Sequence, residues 1–351
     1  MSALNICEGV AKLLVTTVPG IEDLLLEELQ RTSPGSGVVR RGRVIYTLGR
    51  ALKGGELARL VSMLTLAEKA YAIIVEGRVT GTDDAKKLLL SSLDPIKEWI
   101  ERPFYFAVEA SREGRHDFTS VDIARAVGAA LQELLPKSRV SLDDPDVLFY
   151  AEIIGEEFRL AIDLTPFVSL RDRGYRAYVH PSSLNPIVAR AMCRIAGFRG
   201  EQALLDPMCG GGTIVIEALL ESPTSRATGF DVDPRHVRGA LLNSRAAGVN
   251  ADFAVADVRS LPRIVRTNVD VIATNPPYGI RERAVGGLTT LYKALIEGGH
   301  QVLSEGGRMV ILSPLRGKIE RIGRRLNWTP SSIRKVEVGG LLAYLFLFEK
   351  S

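Results

Sequence analysis

The sequence predicts an α/β protein: an open parallel sheet flanked by helices in its C-terminal half, preceded by two smaller α+β modules. Two observations carry that expectation. From about residue 184 onward, short aliphatic runs alternate repeatedly with helix-length segments, and that alternation builds a parallel sheet with helices on both faces. The first 165 residues instead mix hairpin patterns with amphipathic helices. Between the two regions, 166–183 reads as a linker, with Pro166, Gly174, Pro181 and the basic string Arg171, Arg173, Arg176.

The first module, 1–70, opens with a strand at 12–17, the turn Pro19-Gly20 and a helix from Ile21. That helix sets Leu24, Leu25 and Leu29 on one face, with Glu22, Asp23, Glu27 and Glu28 in its first turns, where carboxylates suit the helix dipole. A turn rich in Pro, Gly and Ser at 33–37, a hairpin over 38–48 and a further helix follow. The second module, 71–165, holds a strand at 104–110, a helix over 120–135 and a hairpin of 148–154 with 158–164, turned by Gly155. The third block, 184–351, places strands at 203–205, 227–231, 252–255, 269–274 and 308–313. Two last strand patterns, 336–338 and 341–349, are joined by Gly339-Gly340 and read as a hairpin at the sheet edge.

Composition bounds the function classes. The chain has 351 residues, 46% of them hydrophobic and 25% charged, room for two or three ordinary globular domains. Its longest apolar runs are strand-length, far from the roughly 20 residues of a membrane span. Residues 1–9 lack the basic stretch and apolar core of a signal peptide. The expectation is a soluble cytoplasmic protein. Cys7, Cys193 and Cys209 form no C-x-x-C, and with four histidines in all no metal site is expected. Residues 1–183 carry 23 basic and 26 acidic side chains, whereas 184–351 carry 22 and 15. The C-terminal half is therefore the anion-facing half.

The first strand of that half runs into Asp206-Pro207-Met208-Cys209-Gly210-Gly211-Gly212-Thr213. Three glycines let the backbone turn sharply and approach a ligand. No lysine follows them, which excludes a phosphate loop of the G-x-x-x-x-G-K type. Asp231 ends the second strand, about twenty residues on, where a carboxylate reaches the ribose hydroxyls of a nucleoside cofactor. Asp257 follows the third strand, placed to accept from an adenine amino group, with the Val258 N–H donating to the ring. Asp206 is placed to face the positive aminoacyl end of such a cofactor. The competing readings are local: a turn or helix cap for Asp231, a role that Asp233 before Pro234 fills better, and a surface turn for Asp257.

After the fourth strand comes Asn275-Pro276-Pro277-Tyr278-Gly279. An amine that attacks a methyl group must shed a proton and aim its lone pair. The Asn275 side-chain oxygen and the Pro276 carbonyl are two acceptors for its hydrogens, and the proline pair stiffens the turn. Tyr278 offers a ring on which a flipped base stacks. Against a sulfonium electrophile, in-line alignment supplies most of the acceleration, and no separate general base is needed. The bland alternative is a proline-rich turn.

Taken together, 206–213, 229–234, 256–257 and 275–279 resemble a class I, Rossmann-like methyltransferase of the amino-group type, over essentially the whole third block. LVTTVPGIEDLLLEEL at 14–29 is similar to the start of a ferredoxin-like domain. Arg115-His116-Asp117-Phe118-Thr119-Ser120, Val127-Gly128 and 140–146 resemble a THUMP core. SLRDRGYRAY at 169–178 with HPSSLN at 180–185 (interrupted only by Val179) resembles the joint between THUMP and catalytic domains of tRNA and rRNA guanine-N2 methyltransferases.

The resemblance implies S-adenosylmethionine as cofactor and N2 of a guanosine as acceptor. The D-P-M-C-G loop is similar to that of archaeal enzymes acting on guanosine 6 of the tRNA acceptor stem; Gly211 stands where that family has Ser or Thr. Ser183, Leu184, Asp206, Cys209, Gly210, Gly212, Thr213, Asp231, Asp257, Val258 and Asn275 are implied to hold the cofactor. Asn275, Pro276, Pro277 and Tyr278 are implied to carry catalysis. A monomer binding tRNA is expected.

Guanosine 10 of tRNA and ribosomal RNA remain as alternative substrates. Glutamine and DNA adenine methyltransferases also use Asn-Pro-Pro-Tyr, but the THUMP-like half argues against them. Thiolation, known for some THUMP proteins, needs an ATP loop and a reactive cysteine, and neither pattern occurs. A non-catalytic RNA binder has no need of Asn275 or Asp231. For RNA contact the candidates are Arg316, Lys318, Arg321, Arg324, Arg325, Arg334 and Lys335, against the one acid Glu320, together with Arg281 and Arg283. A solvated helix face explains the first group equally well. For His116 a local hydrogen bond is favoured over RNA contact.

Overall fold

The computed structural model describes residues 9–92, 103–165, 169–180, 182–279 and 286–351. Cys7, Pro166, Pro181, Arg281 and Arg283 lie outside them. The chain divides into two compact units, 1–17 with 22–170, and 18–21 with 171–351.

The first unit runs β1 (Val10–Thr16), α1 (Glu22–Thr32), β2 (Gly35–Arg40), β3 (Arg43–Leu52), α2 (Gly54–Met63), β4 (Lys69–Arg78), α3 (Thr82–Ser91), β5 (Tyr105–Glu113), α4 (Ser120–Leu134), β6 (Arg139–Val140), β7 (Val147–Ile154) and β8 (Glu157–Asp163). Its strands form one sheet in the order β2-β3-β1-β4-β8-β7-β5-β6. β4 crosses residue 70 and pairs antiparallel with β1 on one side and β8 on the other. The two N-terminal modules therefore share a sheet.

Helix α1 buries two acids that the sequence assigns only to the helix dipole. Glu22 accepts from the Gly42 N–H at 2.6 Å, and Glu28 from the Thr65 and Leu66 N–H groups at 3.1 and 3.0 Å. Burial is tolerated because each carboxylate has main-chain donors. α4 starts at a capping box between Thr119 and Asp122.

The second unit contains α5 (Pro186–Ile195), β9 (Ala203–Asp206), α6 (Thr213–Glu221), β10 (Arg226–Asp231), α7 (Pro234–Ala247), β11 (Asp252–Val255), a 3-10 turn (Val258–Ser260), α8 (Leu261–Ile264), β12 (Val269–Thr274), α9 (Leu288–Val302), β13 (Leu303–Ser313), α10 (Arg316–Arg325), β14 (Ser332–Val338) and β15 (Leu341–Glu349). The sheet order is β11-β10-β9-β12-β13-β15-β14. β9 to β13 are mutually parallel, and the closing hairpin is antiparallel. Val271, Ile272 and Ala273 of β12 are at most 1% exposed. Burial on both faces explains why this strand reads as an unbroken apolar run. β13 starts five residues before the sequence expectation, because Gly306 and Gly307 form an irregularity inside the strand rather than ending it.

The stretch expected as linker is, from Arg171 on, packed within this unit. Tyr175 is 6% exposed. Its hydroxyl and the Arg173 guanidinium both donate to Glu217 Oε1, at 2.9 and 3.2 Å, while Arg190 Nε holds the other oxygen at 2.8 Å. Composition reads as linker here because the partners lie over 40 residues away. Among the described residues no helix is long and apolar enough to cross a membrane.

Candidate active site

The strand order of the second unit changes direction between β9 and β12, which opens a crevice at the carboxyl ends of the parallel strands. A cleft of about 780 Å³ lies there, within the usual size range of small-molecule sites. The joint segment contributes Ser183 and Leu184 to its wall; the end of β9 contributes Asp206, Cys209, Gly210 and Thr213. Asp231 comes from β10, Asp257 and Val258 from the end of β11, and Asn275, Pro276, Pro277 and Tyr278 from the end of β12.

The exception among the expected residues is Gly212, which is absent from the cleft wall. It is the left-handed N-cap of α6 (φ +78°), and a Cβ there would lie 2.8 Å from the Phe253 ring and 3.0 Å from Ala240. Its smallness serves helix packing. Gly210 (φ +51°) and Gly211 line the cleft; the Gly210 N–H donates to Asp231 Oδ2 at 2.9 Å, and a Cβ there would come 2.8 Å from His180 Nε2.

Asp231 accepts a second main-chain bond, from Asp233 N–H to Oδ1 at 2.9 Å. Asp206 is 1% exposed and accepts from the Met208 N–H at 3.1 Å. Burial pushes its carboxyl up to about 7, with Thr274 and the Met208 N–H pulling the other way and Asp231 adding to the rise. A cation beside it would restore the ionised form. Burial likewise pushes the Cys209 thiol well above its ordinary value and the Cys193 thiol up to about 12, so both are inert.

Asp257 stands at the cleft and in a local turn. It lines the cleft and also caps the 3-10 turn by accepting from the Arg259 N–H at 2.9 Å. The Arg259 guanidinium grips its carboxylate, and that hydrogen bond holds the carboxyl below its usual range. Asp233 is the N-cap of α7, as the Asp-Pro pair suggests.

At the proline turn, the Tyr278 hydroxyl donates to Asn275 Oδ1. The bond fixes which edge of the amide faces the cleft and leaves the second lone pair of the oxygen for another donor. Burial raises the Tyr278 phenol, so it remains a donor. Below the turn, the Tyr292 hydroxyl donates to the Pro277 carbonyl at 3.4 Å and meets Ser313 Oγ at 2.9 Å.

Other residues at the site were invisible to the sequence reading. Asn243 clamps Tyr178 in both directions, accepting its N–H at 2.7 Å and donating to its carbonyl at 2.9 Å, and also donates to the Gly211 carbonyl at 2.9 Å. The Tyr178 ring lies against Gly239 of α7, where a Cβ would be 2.1 Å away. Val338, Leu341 and Ala343 of the closing hairpin also line the cleft. Of the RNA candidates, Arg316 pairs with Glu320 at 2.9 Å and Lys318 reaches Thr289 at 3.3 Å, whereas Arg321, Arg324 and Arg325 are exposed. His116 is bonded to the Gly155 carbonyl at 2.7 Å, the local role favoured for it.

The cleft fits S-adenosylmethionine: a glycine cradle that a Cβ would fill, acceptors at the ends of β10 and β11, and a buried carboxyl primed for a cation. Among the described residues no cluster of His, Cys, Asp or Glu is arranged to hold a metal.

The family model UPF0020, an RMKL-like methyltransferase domain, matches 173–344, and the THUMP domain model matches 85–163. A tRNA (guanine(6)-N2)-methyltransferase of Thermus thermophilus is 36% identical, covering 95% of this chain and 98% of the relative. An enzyme of the same description from Archaeoglobus fulgidus is 28% identical, covering 97% and 92%. The crystal structure of TrmN from Thermus thermophilus superposes with a TM-score of 0.82 at 34% identity, covering 97% and 99%. The chain belongs to the THUMP-containing, RMKL-like family of methyltransferases.

Proposed function

We propose that the chain transfers a methyl group from S-adenosylmethionine to N2 of a guanosine in tRNA, at position 6 of the acceptor stem. The observation that carries this reading is the rigid Asn275–Tyr278 turn in the same cleft as Asp206, Asp231 and Gly210. When bound, the cofactor supplies an electrophilic methyl group on a positively charged sulfur. Asp231 accepts from the ribose hydroxyls, Asp257 from the adenine amino group, and the Val258 N–H donates to the ring. Asp206 faces the cationic aminoacyl end; Ser183 and Leu184 cover the site from the joint.

On the acceptor side, Asn275 Oδ1 and the Pro276 carbonyl receive the two hydrogens of the guanine amino group and aim its lone pair. The Tyr278 ring stacks on the flipped base. With the Tyr278 phenol and the Cys209 thiol of the cleft both held protonated, neither serves as base, and the proton leaves the amine late. Alignment is the source of rate.

Within this reading the ferredoxin-like module spans 1–70, the THUMP domain 71–165, the joint 166–183 and the catalytic domain 184–351. A monomer holds the tRNA, with Arg321, Arg324 and Arg325 of α10 as phosphate contacts. The test is to incubate the protein with a tRNA transcript and methyl-labelled cofactor, then to identify the labelled nucleoside by mass spectrometry. N2-methylguanosine is expected; methylated adenosine alone, or no transfer, overturns the proposal.

A further inference from the structure

Two histidines that the mechanism does not use stand in the wall of the cofactor end of the cleft. His180 belongs to the joint segment and His236 to the first turn of α7. Their rings stack with centroids 4.6 Å apart and planes 17° from parallel, inside the range where aromatic pairs attract. The hydrogen bonds assign a tautomer to each. His180 Nδ1 lies 3.2 Å from the Ser182 N–H and must accept from it, so its proton is on Nε2. His236 Nδ1 lies 3.3 Å from Asp231 Oδ1, which makes that nitrogen the proton-bearing one.

His180 is itself fixed in place. Its main-chain N–H donates to Ser183 Oγ at 2.9 Å, its ring edge abuts Gly210, and Tyr178 two residues earlier is clamped by Asn243. The Asp231 carboxylate is thereby set by three donors, the Gly210 and Asp233 N–H groups and the His236 ring. Of the three, only the ring can swing away.

We infer that the His180–His236 stack is a positioning device: the joint segment holds His236 in the rotamer that orients Asp231 toward the cofactor ribose. The inference rests on the proposed function and names the residues that tune its cofactor affinity. Because His180 acts only through His236, the two are one unit.

The experiment measures S-adenosylmethionine affinity by calorimetry on the full chain as wild type, His180→Ala, His236→Ala, the double variant and His236→Asn, which keeps a donor at the Nδ1 position. Each single alanine variant is expected to weaken binding about tenfold, with the double variant no weaker than about twentyfold, since coupled residues are not additive. His236→Asn is expected to recover affinity to within about threefold of wild type, the scale of one modest hydrogen bond. Multiplication to about a hundredfold in the double variant, or an asparagine variant no better than alanine, overturns the inference. A wild-type chain that ignores the cofactor overturns it together with the proposed function, whereas the other two outcomes leave that function standing.

Discussion

At the glycine-loop end of the cleft, carboxylates are held by main-chain donors: Met208 N–H on Asp206, Gly210 and Asp233 N–H on Asp231. At the proline turn, 275–278, the acceptor is held by side chains, with the Tyr278 hydroxyl on Asn275 and the Tyr292 hydroxyl under Pro277. Main-chain donors persist whatever neighbouring side chains become, so the cofactor end is disturbed through the carboxylates themselves or the two side chains that grip them, His236 on Asp231 and Arg259 on Asp257. The acceptor end comes apart one side chain at a time. Cofactor affinity and turnover should therefore separate by mutation.

The largest separation is expected for Asn275→Ala. Turnover should fall about a thousandfold, as for loss of a preorganised polar group at a reacting centre, while cofactor affinity stays within about twofold, because no carboxylate is touched. Single-turnover rates and calorimetry on the same variant check this; equal loss of both would erase the distinction between the two ends.

At the other end, Asp206 ties cofactor binding to pH. Its carboxyl, raised to about 7 by burial, stays neutral in the folded chain where the unfolded chain has already ionised. The folded state thus binds the extra proton, and stability falls as pH rises from the ordinary carboxylate range to about 7, then levels. A cationic ligand favours the ionised form, so S-adenosylmethionine affinity should climb over the same interval. Asp206→Asn should flatten both curves and weaken binding about tenfold at pH 8, the loss of one charged contact. Thermal melting and calorimetry across pH check it, and a variant as pH-sensitive as wild type would remove Asp206 from the account.

Tyr278→Phe is the smallest change. It keeps the ring and deletes only the hydroxyl that orients Asn275, so kcat should fall about fivefold, the scale of one hydrogen bond, with KM for tRNA unchanged. A rise in KM alone would assign the hydroxyl to RNA binding instead of to the turn.

Much of this cleft was legible in the sequence because its residues lie within a few positions of strand ends. Asp206, Asp231, Asp257 and Asn275 each follow an apolar run, and a strand end fixes where its next residue points. What lay hidden was pairing over distance. Asn243 is 65 residues from Tyr178, and His236 is 56 from His180; neither has a local signature. Three consecutive glycines do not say which of them faces a ligand, and Gly212 turned out to face Phe253 and Ala240. The joint read as linker because of its prolines, glycine and basic string, while its anchor, Glu217, sits over 40 residues away on α6.

In the proposed mechanism Asn275 and Pro276 receive a guanine 2-amino group. A tRNA transcript with inosine in place of guanosine 6 lacks only that group. It should bind within about threefold of the unmodified transcript, since one hydrogen-bonding group among many contacts is lost, and should accept no methyl. Undiminished methylation of the inosine transcript would contradict the account.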